Sequence, residues 1–128
     1  MAIWTFYDYV SQSGKNEIAD WVRNELSVKG VEKFEARLDY LGAVENHEWK
    51  KPYFYPLTDC VGISEIRFLA DKKEHRVFGF FGPEQNEYTM VLGWIKKNGD
   101  YGHQCKIAIQ RMKRILSTGG RHIREHGT

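Results

Sequence analysis

Cysteine is scarce in this chain of 128 residues. Its two cysteines, Cys60 and Cys105, lie far apart and form neither a C-x-x-C pair nor a disulfide framework. They read as two reduced thiols. With the scattered His47, His75 and His103 they show no metal-ligand spacing, so neither a metal nor a cofactor is expected. Long apolar runs are also missing, which leaves nothing to cross a bilayer. The first residues lack the basic start and apolar core of a signal peptide. The expectation is a soluble, cytoplasmic protein with no membrane partner. Charge of one sign is short too: the net charge is +2 and the pI about 8.5. A nucleic-acid partner must then be argued from where the cations lie. There is no repeat, no linker and no second domain. One domain is expected over 1–118, with an aperiodic, flexible tail over 119–128.

Hydrophobic residues make up 41% of the chain, enough for a packed interior. Residues 3–9 are aromatic and β-branched and predict a strand. Ser13 is placed to cap a helix over 15–28, where Ile18, Trp21, Val22 and Leu26 share a face. Gly30 stops that helix. A second helix over 31–44 carries Val31, Phe34, Leu38 and Leu41 as its stripe, and Lys29 and Gly30 join the two as a hairpin. Residues 45–61 have no period, and Pro52 and Pro56 argue against a helix or a central strand. They predict a loop with a short extended piece through 53–57. Residues 62–97 hold three apolar runs broken at 71–74 and 82–87, the pattern of a three-stranded meander. A last helix over 103–117, capped by Asp100 or Gly102, has Ile107, Ala108, Met112, Ile115 and Leu116 on one side. Lys106, Arg111, Lys113 and Arg114 form its cationic side. The order β-α-α-β-β-β-α defines an α+β fold. Its antiparallel sheet has the helical hairpin on one face, and its other face is open beside the C-terminal helix.

Side chains alternate along a strand. In the first meander strand Ser64, Ile66, Phe68 and Ala70 read as core, which turns Glu65 and Arg67 to the open face. In the second, Arg76 shares a side with Phe78 and Phe80. In the third both sides are apolar, and the phase stays open. A face carrying Arg67, Arg76, Lys96, Phe80 and Trp94 suits phosphates and unstacked bases. Two arginines on adjacent strands repel unless an anion lies between them. The structural alternative pairs Arg67 with Glu65 or Glu87 and packs Phe78, Phe80 and Trp94 under the last helix. Lys50 and Lys51 stand among Trp49, Tyr53, Phe54 and Tyr55, a second interleaving of cations and rings that suits single-stranded RNA. The same stretch reads equally as a connecting loop pinned by its aromatics. His103, at the start of the last helix, is a candidate acid or base on its chemistry alone.

The succession GISEIRF, HRVFGFF and MVLGWIKK, followed by a helix entered through a short polar turn, resembles the HigB-like branch of the RelE/ParE toxin superfamily. The resemblance is carried by the E-x-R-F of 65–68, by Arg76 with Val77, and by the G-x-x-K-K of 93–97. It covers nearly the whole chain, because a two-helix insertion also follows the first strand in that family. It implies the toxin of a type II toxin–antitoxin pair: a metal-independent endoribonuclease that cleaves mRNA, free or on the ribosome, and so arrests translation. A cognate antitoxin with a helix-turn-helix domain would neutralise it. In such enzymes the RNA 2′-hydroxyl attacks the adjacent phosphate and leaves a cyclic phosphate. That step needs a proton acceptor, cations for the phosphorane and a donor to the leaving 5′-oxygen. By the resemblance, Arg67 and Arg76 are the strand arginines that stabilise the phosphate. Lys96 and Lys97 are the strand-end lysines that bind phosphate or move a proton. Other relatives poison gyrase and cleave nothing, so a non-catalytic toxin is the alternative, and a non-catalytic RNA-binding phage accessory module is a third.

Overall fold

The computed structural model describes residues 2–96 and 101–128. Strand β1 (Thr5–Tyr9) leads into helix α1 (Glu17–Glu25). Asn16, not Ser13, caps α1: its side chain accepts from the Ala19 N–H at 2.8 Å, satisfying one of the donors a helix start leaves open. The Ser13 hydroxyl is taken up by Ser11. Helix α2 (Val28–Gly42) is capped by Ser27, which accepts from the Gly30 N–H at 3.0 Å. Gly30 therefore lies inside the first turn of α2, and the expected stop there is displaced to Leu26 and Ser27. The reason is local: the Ser27 hydroxyl supplies a cap that outweighs the glycine's readiness to end a helix.

A short 3-10 turn (Asn46–Glu48) and the three-residue strand β2 (Phe54–Pro56) follow. The meander is β3 (Ser64–Ala70), β4 (Lys73–Phe81) and β5 (Glu87–Ile95). Helix α3 (Tyr101–Ser117) and strand β6 (Ile123–Glu125) complete the order. The six strands run β2-β3-β4-β5-β1-β6. Neighbours are antiparallel except β1 and β5, which are parallel. The expected α+β fold is thus present, with β2 and β6 added at the two edges.

The sheet is covered on both faces. Helix α1 lies over β5 and β1, and α2 over β3 and β1. Between them and the sheet pack Ile18, Phe34, Leu38, Leu41, Ile66, Phe68, Val77 and Met90. Trp49 joins this core, and its indole N–H donates to the Leu41 carbonyl at 2.8 Å. On the other face α3 lies over β4 and β5, and Cys105, Ala108 and Ile115 meet Ile63, Phe78, Phe80, Val91 and Trp94. The face expected to be open is therefore half covered by α3. A register shift at Phe78 and Gly79 settles the phase of β5. Phe78 faces Leu92 while Gly79 faces Met90, so Val91 is an extra residue. Met90 then goes to the hairpin side and Trp94 to the α3 side, which simple alternation along the strand would not allow. Gly79 makes the close approach possible: a Cβ there would stand 2.5 Å from the Thr89 carbonyl oxygen.

Two expectations are corrected. Residues 119–128, expected as a flexible tail, include β6, whose pairing satisfies the outer edge of β1. His126 continues this edge: Nδ1 lies 2.9 Å from Asp8, and Nε2 lies 2.8 Å from Glu35 on α2. Cys60 and Cys105, expected as reduced thiols, form a disulfide with Cα atoms 5.8 Å apart. The loop before β3 is laid against α3, so both cysteines fall in one core cluster despite their separation in sequence. Among the described residues no helix is long and apolar enough to cross a membrane.

Candidate functional site: an arginine–glutamate network on the sheet

The register of β3 and β4 sets Arg67 directly opposite Arg76, and that of β4 and β5 sets Arg76 opposite Trp94. Alternation turns both arginines away from the face that carries Ile66, Phe68 and Val77 into the hairpin core. Two guanidiniums on adjacent strands need anions, and two carboxylates supply them. Glu65 is fully buried (0% exposed), and Arg76 is 7% exposed. Glu65 accepts from Arg67 Nε through one oxygen, and its other oxygen lies 3.4 Å from Arg76 Nη1. Glu74 accepts from Arg76 Nε at 2.9 Å and from Arg76 Nη2, and lies 3.8 Å from Arg67 Nη1. Two positive and two negative groups thus form one charge-balanced network. Such a network is costly to break, because removal of one partner strands a buried charge.

Aromatic rings frame it. The Arg67 guanidinium lies over the Tyr55 ring at 3.5 Å, and Lys51 Nζ approaches the same ring at 5.2 Å. Arg76 lies over Trp94 at 5.6 Å. Tyr101, at the start of α3, meets Phe78 edge-on at 5.9 Å. Burial and the charges of Glu65 and Asp59 raise the Tyr101 phenol above its usual pKa, against a smaller opposing pull from Arg76 and Arg67. Burial would raise the Glu74 carboxyl, but the Arg76 hydrogen bond and the charges of Arg76, Arg67 and Lys96 outweigh it. They hold Glu74 below the usual carboxylate range, so it is ionised at neutral pH.

The other expected site residues are only partly gathered here. Lys51 joins the network through Tyr55, whereas Lys50 is exposed in the loop. Lys96 is exposed just past β5, and its N–H donates to the Glu74 carbonyl at 3.1 Å. Lys97 lies outside the described residues. His103 is exposed on the first turn of α3 and, among the described residues, makes no hydrogen bond to the network. Phe80 is corrected: it is 4% exposed and packed with Val91 in the α3 core, and offers no face to a base. Trp94 belongs to the same core. Arg67 also lines a cavity of about 300 Å³ with Arg37, whose guanidinium lies over Tyr53 at 3.7 Å. Lys96 lines a different one, of about 700 Å³.

Glu74, Tyr55 and Tyr101 are not among the candidates the sequence offers, and Glu65 enters only as a pairing partner of Arg67. A readable signal exists for the two carboxylates: each stands two residues before an arginine on the same strand, hence on the same face. Tyr55 sits in an aperiodic stretch and gives no such signal. Among the described residues no group of three or more His, Cys, Asp or Glu could hold a metal.

Fold and site together define an α+β protein with a mixed six-stranded sheet and a buried arginine–glutamate network opposite its helical hairpin. No protein-family model matches the chain, and no curated protein matches it in sequence.

Proposed function

We propose that this chain is the toxin of a type II toxin–antitoxin pair, a metal-independent endoribonuclease that cleaves mRNA in the cytoplasm. One observation carries the reading beyond the sequence resemblance: Arg67 and Arg76 stand side by side on the sheet face away from the hairpin, framed by Tyr55 and Trp94. A phosphate approaching from the Glu74 side meets two guanidiniums already aligned by Glu65. The side chain of Glu74 is 40% exposed and can yield its place at the arginines. In this reading Glu74, ionised and moved off the arginines by the incoming phosphate, takes the 2′-proton. The 2′-oxygen attacks phosphorus, and the guanidiniums hold the phosphorane charge. The Tyr101 phenol gives its proton to the departing 5′-oxygen, and the products end in a 2′,3′-cyclic phosphate and a 5′-hydroxyl. Lys51 and Lys96 bind flanking phosphates. A helix-turn-helix antitoxin would silence the protein.

The balance of charge at the arginines favours a second reading, a toxin that blocks a protein target such as gyrase and cleaves nothing. Expression in cells, with mapping of mRNA 5′ ends, separates the two. New 5′ ends that persist with metal chelated in a purified reaction, and that vanish in a folded Arg67→Ala variant, support the nuclease. Growth arrest with intact mRNA supports the protein target.

A further inference from the structure

Beside the network lies the 700 Å³ cavity that Lys96 lines, and its chemistry is different. Trp21 of α1 supplies its aromatic wall, and Trp94 of β5, 7% exposed, borders it from the α3 side. Gly93 lets Trp21 lie flat on the strand, since a Cβ there would stand 2.3 Å from the indole ring. Its rim carries Asn24 and Gln104, two amides, and Lys73 and Lys96, two ammonium groups. Among the described residues neither amide side chain is hydrogen-bonded and neither lysine is in an ion pair. A pocket of this size is typical of small-ligand sites. An aromatic ring, two amides and two cations fit a base joined to a phosphate: the Trp21 ring stacks, amides read the base edge, ammonium groups take the phosphate.

We propose that this cavity binds one nucleotide of a single-stranded RNA, with Asn24 and Gln104 setting base preference and Lys73 and Lys96 holding its phosphate. The inference rests on the nuclease reading in one respect only: Trp94, which lies under Arg76, would seat the nucleotide next to the phosphate being cleaved. Glu25, also on the rim, would repel a phosphate on its side. It therefore faces the base and accepts from an exocyclic amine.

The probes are the four nucleoside monophosphates, with inorganic phosphate as control, titrated into the full chain while the indole N–H resonances are followed by NMR. The expected result is saturable shifts of the Trp21 and Trp94 signals with nucleotides and not with phosphate. Lys73→Ala should weaken binding roughly tenfold, and Asn24→Ala or Gln104→Ala should change the order of the four bases. Lack of saturation at millimolar nucleotide, or binding indifferent to Lys73→Ala, overturns the proposal. Nucleotide binding without RNA cleavage would sink the nuclease reading and keep the site. Cleavage whose base preference ignores Asn24→Ala and Gln104→Ala would sink the site and keep the nuclease.

Discussion

The arginine network and the neighbouring cavity share Trp94 but differ in the state of their charges. At the network both guanidiniums are matched by carboxylates and largely dry. At the cavity rim two lysines and two amides are solvated and uncommitted among the described residues. Charges of the first kind hold a sheet together, because desolvation makes each partner indispensable to the other. Charges of the second kind add little to stability and stay available to a ligand. Cations on a sheet are therefore not interchangeable as evidence for an anion site.

The sharpest test of this contrast is Arg76→Ala. It would leave Glu65 buried beside Arg67 alone, and stability should fall by about 3–5 kcal/mol, read as a lower urea midpoint. A loss below 1 kcal/mol would mean that the network is not committed. Given the expected loss, disappearance of the proposed RNA cleavage in this variant bears on catalysis only where folding is measured alongside.

A second saturated group is His126. Burial pulls its pKa down, but hydrogen bonds to Asp8 and Glu35 and their negative charges raise it from 6.5 to about 10. The folded protein thus holds the proton more tightly than the unfolded chain. That stabilisation is complete below the unfolded value of 6.5 and drains away as pH climbs through about 10. Melting temperature should decline over that window in the native chain, and the decline should flatten in His126→Gln. That variant should also lose about 1.5–3 kcal/mol near neutral pH, the range for hydrogen bonds to charged groups. Equal slopes in the two proteins would break the assignment.

Gly93→Ala tests the cavity floor. The new methyl must push the Trp21 ring off the strand, which should cost about 1–3 kcal/mol as overpacking does and should shift tryptophan fluorescence. An unchanged spectrum would mean that Trp21 does not rest on β5. The smallest effect is expected for Glu74→Gln. Its side chain is 40% exposed, and the new amide oxygen can still accept from Arg76, so only about 1 kcal/mol should be lost. Binding of a short single-stranded RNA should tighten, because the site gains one net positive charge. Weakened binding would show instead that Glu74 orders the arginines for the ligand.

Much of the fold is legible in the sequence because it rests on periods. The stripe of Phe34, Leu38 and Leu41 and the alternation of Ile66 and Phe68 lead to the hairpin core directly. Alternation also places Glu65 and Arg67 on the face away from that core. It does not tell that α3 covers half of this face, because Phe78, Phe80 and Trp94 look the same whether they meet a base or a helix. The phase of β5 is hidden for a different reason. One bulge residue, Val91, reverses the pattern beside Gly79, whose missing side chain permits the close backbone approach there. Strand β6 is three residues long and largely polar, so no window shows it. The disulfide and the cavity are invisible for a common reason: their residues come from separate elements that only the finished fold brings together.

Strand β1 lies between β5 and β6, both made long after it. Until residues 87–95 have left the ribosome, β1 has no neighbour on either edge. Its pairing then closes a loop of most of the chain, and contacts of such separation are slow to form. The meander of β3, β4 and β5 can assemble first from neighbouring segments, so the arginines and their carboxylates meet early. The N-terminal strand is then the late arrival, and it brings α1 and Trp21 with it. A chain still under synthesis would therefore hold its arginine network before it holds a finished cavity, and a ligand needing both would find no site on an incomplete molecule.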